Sequence, residues 1–413
     1  MLRYCFFLTM LCLPLLLFAQ PAVSNSVSVR SPRIMLNDDT DAPPVAVLGS
    51  DDVLHFSFDE MSHTYRRYTC RVTHCNALFE PSGLSEIDYI GGFNNFQVEE
   101  WENSVNTTVL YTHYEFTVPN ENVTLLLSGN YILEVFDDED DSVPVLVYRF
   151  SVVEPRVAVS AWVSGDTDTS FNSGEQQLSF VVNYSRCGVS SPASEIIPVV
   201  YQNRRPESTV SSLLPTSVMG NEALYEHNEK LIFPAGNEYR RFELTDPATP
   251  GMGVEEVVYD NGEYHALLYV DKPHLSHSNY RDENGRYYIN TLEGYGTPIE
   301  ADYVNVHFAL ATPFREGGTY YLQGDFTGSF SSENALDYDA EGGYYFTSRL
   351  LKLGLYNYRY LWVPYNSAFI SSVAEGDFYE TENEYLIYIY HREFGARYDK
   401  LVGVHSVSSS MEQ

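Results

Sequence analysis

Cysteine is scarce in this chain. Of its five cysteines in 413 residues, Cys5 and Cys12 lie in the apolar N-terminal segment, which leaves Cys70, Cys75 and Cys187. An odd number of cysteines at these spacings excludes the disulfide framework that stabilises many small secreted domains. We therefore expect three separate buried thiols.

Basic residues are also few. The chain has 24 Lys and Arg against 57 Asp and Glu, a formal net charge of -33. A field of this sign repels phosphates, so it argues against nucleic acid as a partner and against docking on anionic lipid headgroups. The acidic run DDEDD at 137–141 is predicted to be a solvated hairpin tip, because calcium loops space their ligands on alternate residues around a glycine.

Long apolar runs are absent after the first twenty residues. Residues 1–20, MLRYCFFLTMLCLPLLLFAQ, begin with a single Arg3 and continue as an apolar run from Tyr4 to Phe18, the pattern of a secretory signal peptide. No later stretch is apolar over the ~20 residues that a membrane-spanning helix needs. We predict an exported, soluble mature protein that does not insert into a membrane.

Recognisable catalytic motifs are absent as well. The sequence holds no Gly-x-Ser-x-Gly elbow, no phosphate-binding glycine loop and no His-Glu-x-x-His pair,. His274 and His277 are spaced to clamp a metal on a helix, but their Pro-broken surroundings favour a solvated loop. Glu380 and Glu382 could serve glycoside hydrolysis, although an ordinary surface pair is the favoured interpretation. We predict no enzyme activity, no catalytic or metal-binding residues, no cofactor and no small-molecule ligand.

Aromatic residues, in contrast, are abundant. The 34 Tyr and 23 Phe accompany short β-branched runs separated by Gly, Asn, Asp and Pro, which indicates an all-β protein of tandem immunoglobulin-like or early-set-like β-sandwich domains. Asn261-Gly262 and Asn284-Gly285 are predicted hairpin turns, where positive φ angles are needed. The clearest predicted strands are 143–153, 177–185, 264–270, 303–311 and 319–326.

The length of the chain predicts more than one domain, because single cores stop growing near about 250 to 300 residues. We divide it into a signal peptide (1–20), an N-terminal β-sandwich domain (27–154), a middle β domain (155–311) and a C-terminal early-set-like β-sandwich domain (312–413). The limit at 311 is the less secure one, since strands before it could pair with strands after it.

One predicted strand carries an aromatic stripe. In LYNYRYLWV, residues 355–363, the side chains of Tyr356, Tyr358, Tyr360 and Trp362 fall on one side,. The first interpretation is a sandwich-core strand. The second is an exposed aromatic surface for a protein or sugar partner, and on this interpretation the four residues are the candidate partner-binding residues.

The end of the chain reads as a turn, a strand and a second turn. Residues 380–383 enter the strand, residues 385–391 form it, and residues 394–399 leave it. Arg397 and Asp399 lie on the same side of an extended chain, so we expect an ion pair between them that ties the second turn.

Three strings in the last hundred residues carry a family resemblance. GGTYYLQGDFTGSF, LDYDAEGGYYFTSRLLKLGLYNYRYLWV and EGDFYETENEYLIYIYHREFGARYDKLVGV closely resemble the C-terminal part of the plug proteins of the Bacteroidetes type IX secretion system. THCNALFEPSGLSEIDYIGGF (73–93), FPAGNEYRRFEL (233–244) and EADYVNVHFAL (300–310) extend the resemblance upstream, in order, over nearly the whole mature chain.

The resemblance implies a non-enzymatic periplasmic subunit. Members of that family associate with the very large outer-membrane translocon barrel and close the periplasmic end of its pore when no cargo is passing. The family supplies no active-site residues to transfer. The alternative is a glycan-binding module of a polysaccharide uptake system, from a more distant resemblance to the early-set sandwiches of glycan-branching enzymes. Thr327 and Phe330 in GDFTGSF replace the Asn and Trp of that pattern and weaken the alternative.

Overall fold

The structure is a computed structural model that describes residues 22–292, 298–328, 330–365 and 370–409. The predicted signal peptide, Cys5 and Cys12 lie outside the described residues. Within those ranges strands dominate and each helix is a single turn, which confirms the all-β prediction. No helix of the described ranges is long and apolar enough to cross a membrane.

The strands before residue 154 are β1 (Ala22–Ser24), β2 (Val29–Leu36), β3 (Val45–Val47), β4 (Leu54–Glu60), β5 (Tyr68–Cys75), β6 (Ile90–Gly92), β7 (Phe96–Gln97), β8 (Glu100–Asn103), β9 (Thr112–Val118), β10 (Val123–Leu125), β11 (Gly129–Asp137) and β12 (Leu146–Val153). The α-helical turns are α1 (Glu86–Tyr89) and α2 (Pro192–Glu195), and the 3-10 turns are Pro206–Ser208, Glu229–Leu231, Asp325–Thr327 and Ser332–Asn334.

The strands after residue 154 are β13 (Ala158–Ser164), β14 (Glu175–Asn183), β15 (Ile196–Gln202), β16 (Ser217–Met219), β17 (Glu222–Tyr225), β18 (Ile232–Pro234), β19 (Arg240–Leu244), β20 (Val254–Asp260), β21 (Glu263–Leu268), β22 (Tyr287–Ile289), β23 (Tyr303–Leu310), β24 (Gly318–Gln323), β25 (Asp337–Asp339), β26 (Tyr344–Lys352), β27 (Gly354–Pro364), β28 (Glu384–His391) and β29 (Lys400–Ser408).

The first sandwich is built from the strands before residue 154. One sheet has the order β1-β12-β11-β5-β7, with β3 beside β12, and the other has the order β2-β4-β9-β8. Alternation along β4 places Leu54, Phe56 and Phe58 in the core between the sheets,. His55, Ser57 and Asp59 therefore lie on the opposite face of that sheet, which turns toward the rest of the chain.

The second sandwich uses strands from distant parts of the chain. Its sheet β13-β14-β17-β16, with β18 beside β14, packs against the sheet β15-β28-β29. Ile196 of β15 is opposite His391 of β28, so the last two strands complete a core that begins two hundred residues earlier. A smaller cluster that includes Val153, Tyr201 and Leu401 joins this sandwich to the first.

The third sandwich packs the sheet β19-β27-β22, with β24 beside β27, against the sheet β20-β21-β23-β26-β25. Strands before residue 311 pair with strands after it, since β23 pairs with β26 and β19 pairs with β27. Strands on both sides of residue 311 therefore belong to the same sandwich. The tandem β-sandwich prediction is confirmed, whereas the domain limits at 154 and 311 stay predictions.

Two local predictions have different outcomes. Asn261 (φ 50°) and Gly262 (φ 96°) form the predicted hairpin turn between β20 and β21. Asn284 and Gly285 also have positive φ, but the strand that follows them, β22, pairs with β27, so this turn does not close a hairpin. The acidic run 137–141 forms the predicted tip between β11 and β12, with a bridge between Asp137 and Asp140.

The three cysteines of the described chain are free thiols. Cys70 and Cys75 are buried as predicted, and burial raises the pKa of Cys75 to about 12. Cys187 is only half-buried, which corrects the expectation of three buried thiols.

Candidate functional site

The predicted aromatic stripe lies in the core of the third sandwich. Tyr356, Tyr358, Tyr360 and Trp362 of β27 are each between 0% and 4% exposed. Tyr358 and Tyr360 both donate a hydrogen bond to Asp271 Oδ2, at 2.9 Å each. The core interpretation of the stripe accounts for this placement, and the four side chains offer no surface that a protein or a sugar could contact in this structure.

Beneath the stripe lies a buried ion network. Arg240 on β19 is 2.8 Å from Asp271 and 3.0 Å from Glu375, and the Tyr360 amide donates to Glu375 at 2.8 Å. Burial raises the pKa of the Asp271 carboxyl, while Arg240 lowers it. All the hydrogen-bonding partners named here belong to the third sandwich, so this network holds that sandwich together.

The acidic cluster at the start of β28 is structural. Glu384 Oε2 is 2.6 Å from Arg286 and 3.2 Å from Arg204. Burial raises the pKa of Glu384, but the two guanidinium groups outweigh it and the net shift is downward. Glu384 therefore links the second sandwich, where Arg204 follows β15, to the third, where Arg286 precedes β22.

The neighbouring acids contact different parts of the chain. Glu380 is exposed and precedes β28, and the Glu382 amide donates to Glu238 Oε1 at 2.9 Å. His391 Nε2 is 3.6 Å from Glu195. These contacts fit a turn that enters a strand, as the sequence predicts.

The two loop histidines bind different carboxylates. His274 Nδ1 is 3.4 Å from Glu375, and His277 Nε2 is 3.2 Å from Glu238. Their side chains are 22% and 24% exposed, so this loop packs on buried acids more closely than a solvated loop would. In the described ranges, no group of three or more His, Cys, Asp or Glu side chains is arranged to hold a metal ion.

Beside His277 lie two buried carboxyl groups in contact. Glu238 and Asp282 are 4% and 6% exposed, and burial raises the pKa of each to about 7. Two adjacent carboxylates in a buried site repel each other, so the pair holds a proton that exposed carboxyls would release.

The strongest contact between the first and third sandwiches is centred on Asp59. Its carboxylate lies on the outward face of β4, 2.7 Å from Lys352 Nζ on β26. His113 Nδ1 is 2.6 Å from Oδ1, and Tyr303 OH donates to Oδ2 at 2.6 Å. The Lys352 ammonium also lies 4.3 Å from the centre of the Tyr111 ring, which places a cation–π contact at the same point.

The electrostatics of this cluster favour an ionised pair. Burial raises the pKa of Asp59, but Lys352 and His113 outweigh it and the net shift is downward. Burial lowers the pKa of Lys352 more than Asp59 raises it, which by itself would favour a neutral amine. The net downward shift of the Asp59 pKa favours a carboxylate at neutral pH, and a carboxylate 2.7 Å from Lys352 Nζ stabilises the ammonium,.

A second set of hydrogen bonds lies beside the first. Thr108 donates twice to Asp302 Oδ2, from its amide at 2.8 Å and its hydroxyl at 2.7 Å. Tyr111 OH donates to the carbonyl oxygens of Pro298 and Ala301, at 2.8 Å each. The loop before β9 is thus anchored to the segment before β23.

A cavity of about 530 Å³ adjoins this contact between the two sandwiches. Arg33, His55, Asp59, His113 and Glu115 are among the side chains that line it. Its walls carry charges of both signs, and Ser31, Ser57 and Lys352 also line it. The ion pair and hydrogen bonds beside the cavity hold the two sandwiches together.

Comparison with known proteins defines the family. The family model described as "Type 9 secretion system plug protein 1st domain" matches residues 29–154. A crystal structure of a hypothetical protein from Parabacteroides merdae is 36% identical, with a TM-score of 0.91 over 94% of this chain and 99% of that chain. No curated protein matches the chain. The chain belongs to the type IX secretion system plug protein family.

Membership indicates a plug-like role in type IX secretion and confirms the resemblance seen in the sequence. The residues that match the family model span β2 to β12, the strands of the first sandwich. Asp59 and His113 lie inside the matched plug domain, whereas Lys352 and Tyr303 lie outside it. The buried ion pair is therefore one of the contacts that join the matched domain to the following part of the chain.

Sequence reasoning missed this junction. Asp59 and Lys352 are separated by 293 residues, and no spacing in the sequence connects them. A weak signal does exist in β4, where Asp59 ends the outward series His55, Ser57, Asp59. A charged residue on a polar strand face is predicted to be exposed to solvent. The burial of Asp59 becomes evident only when its partner Lys352 is known.

Proposed function

We propose that this protein is a non-enzymatic periplasmic plug subunit. It binds the large outer-membrane barrel of a type IX translocon and closes the periplasmic end of its pore when no cargo is passing. Its membership of the plug family carries this proposal. The barrel as partner, the periplasmic location and the closing of the pore are the parts that the experiments below test.

The buried junctions support the proposal physically. A body that seals a pore has to keep its shape, and sandwiches that move relative to one another would not. Asp59–Lys352 fixes the first sandwich to the third, and Glu384 fixes the second to the third through Arg204 and Arg286. Buried pairs of this kind are costly to break, so they favour a single rigid body.

The proposed lack of catalysis has its own support. Glu384, Glu375 and Asp271 are each held by an arginine, and His113 and Lys352 are both held by Asp59. Groups held in this way stabilise the fold.

The surface charge constrains the partner. A chain with a net charge of -33 associates fastest with a surface that carries basic patches. We expect the association rate with the barrel to fall as salt rises from low to physiological concentration, because the Debye length shortens to about 8 Å at 0.15 M. An association rate that does not change with ionic strength would contradict this part of the proposal.

Native purification tests the partner. The protein, tagged at its C-terminus and expressed from its own locus, is extracted in mild detergent and recovered with everything bound to it. A barrel subunit of the translocon should be recovered in a stoichiometric amount. Recovery of the protein alone, from cells whose translocon is intact, would overturn the proposal, and an unrelated tagged periplasmic protein serves as the control.

A permeability assay tests the closing of the pore. In cells that lack this protein, an unplugged barrel should admit a large hydrophilic antibiotic, and sensitivity should disappear when the gene is restored. The matched control lacks both the protein and the barrel and should be as resistant as the wild type. Equal resistance of all three strains would refute the closing function while leaving the partner test independent.

A further inference from the structure

The outer face of one sheet of the third sandwich carries two histidines in contact. The sheet β20-β21-β23-β26-β25 turns Val304, Val306 and Phe308 of β23 toward the core, so the alternate residues face outward. His265 on β21 and His307 on β23 share this outward face. Their ring centres are 5.2 Å apart, and His265 Nδ1 is 3.0 Å from His307 Nε2.

The hydrogen bonds around the pair define its protonation. His307 Nδ1 is 2.7 Å from Ser348 Oγ on β26, which fixes the orientation of that ring. The two facing nitrogens can share only one proton, so one of them presents a lone pair to the other. Burial lowers the pKa of His307, and His265 lowers it further.

The distance between His265 Nδ1 and His307 Nε2 can be compared with the distances between two ligand nitrogens on one metal ion. With metal–nitrogen bonds of about 2.05 Å, two ligand nitrogens are ~2.9 Å apart at a 90° angle and ~3.3 Å apart at the tetrahedral angle. The observed 3.0 Å is close to the first value. Cis positions at 90° belong to the square-planar or octahedral environments of Cu²⁺ and Ni²⁺. Because Ser348 holds the His307 ring, binding of one ion by both nitrogens requires the His265 ring to turn about its Cβ–Cγ bond.

We propose that His265 and His307 form a two-histidine binding site for a divalent transition-metal cation, with Cu²⁺ bound more tightly than Ni²⁺. Among divalent first-row metals Cu²⁺ binds nitrogen ligands most tightly, and Ser348 plays the orienting part that a hydrogen-bonded neighbour plays for a metal-ligating histidine. Water completes the coordination.

Nearby acid favours a cation at this place. Glu263 precedes His265 by two residues on the same strand face, and Asn305 donates to Glu263 Oε2 at 2.7 Å. The overall field of a chain with a net charge of -33 also attracts cations. With two protein ligands the site binds more weakly than a closed structural site with four.

Calorimetric titration of the full-length mature protein with CuCl₂ at neutral pH tests the site, after complete removal of any affinity tag. Wild type should bind one ion at this site, and the electron paramagnetic resonance spectrum of the bound Cu²⁺ should show two imidazole nitrogens. His265→Asn and His307→Asn should each weaken binding at least ~10-fold, and Ser348→Ala about 10-fold. Binding should weaken as pH falls, because protons compete for the nitrogens.

A second histidine pair provides the matched control. His274→Asn with His277→Asn removes two imidazoles from the same sandwich and should leave Cu²⁺ affinity unchanged. Circular dichroism and thermal unfolding confirm that all variants are folded. Equal affinity in the wild type and the His265→Asn/His307→Asn variant would overturn the proposal, and so would a bound Cu²⁺ spectrum with a single imidazole nitrogen.

Discussion

Replacement of Lys352 by Met tests whether the buried junction holds the plug domain to the rest of the molecule. Lys352 is 3% exposed and Asp59 is 1% exposed. Met keeps most of the aliphatic length of lysine and removes only the charge. The carboxylate of Asp59 would then be left in a low-dielectric site without its cationic partner.

The expected loss follows from the contacts that remain. Removal of one partner of a buried ion pair typically costs 3–5 kcal/mol. Asp59 keeps the hydrogen bonds from Tyr303 and His113, at 2.6 Å each, which lowers the penalty. The contact of the ammonium with the Tyr111 ring is lost as well, which raises it. We expect a destabilisation of about 3 kcal/mol, the lower end of that range.

The assay is urea unfolding followed by tyrosine fluorescence, together with hydrogen exchange of the amides in β4 and β26. Lys352→Met should unfold at lower urea, and exchange should accelerate first in those two strands. The double variant Asp59→Asn/Lys352→Met removes both charges and should be more stable than Lys352→Met alone, since no unpaired charge remains.

An exposed pair supplies the comparison. Arg156 and Glu154 form an ion pair whose side chains are 52% and 33% exposed, and Arg156→Met should cost less than about 1 kcal/mol. A Lys352→Met protein that matches Arg156→Met in stability would refute the reasoning, because burial would then have made no difference.

Three further predictions rest on other contacts. The carboxyl pair of Glu238 and Asp282, with raised pKa values of about 7, contributes stability that is full below about pH 4 and is lost as pH rises through 7. Glu238→Gln should therefore reduce the change of the urea midpoint between pH 5 and pH 8. A variant whose urea midpoint depends on pH as the wild type's does would contradict this. Glu384→Gln leaves two arginines without their carboxylate and should lower the free energy of unfolding by about 3 kcal/mol, the lower end of the cost of breaking a buried pair, whereas Glu380→Gln, at an exposed position, should leave it unchanged. Cys187 should react with a thiol reagent in the folded protein before Cys70, which is fully buried; equal rates would show that the fold opens around Cys70.

Local features of the fold were predictable from the sequence. Short runs of β-branched and aromatic residues, separated by clusters of turn residues, located β14, β21 and β23 to within a few residues,. The positive φ angles at Asn261 and Gly262 follow from residue types that adopt them at low cost,. Each of these predictions uses information from a window of about ten residues.

Contacts between distant segments were not predictable. Arg397 was expected to pair with Asp399, its neighbour on an extended chain, but it lies 3.1 Å from Asp88, while Asp399 pairs with Arg392 at 3.3 Å. The expected pair is therefore wrong. Asp399 also accepts a hydrogen bond from the Ala77 amide at 3.0 Å. Residues of the first sandwich, which are distant in the sequence, therefore determine the partners of Arg397 and Asp399.

The position of β28 connects the family resemblance to the architecture. The sequence ETENEYLIYIYH is part of the resemblance to the plug family, and its last eight residues form β28, the central strand of the sheet β15-β28-β29. Tyr385, Ile387 and Ile389 fill the second core, and Tyr390 donates to Asn130 of the first sandwich at 2.8 Å. Glu384 adds the link to the third sandwich through Arg286. One strand thus contacts all three sandwiches, so its sequence is constrained by each of them, and a change within it would disturb the whole body that we propose closes the pore.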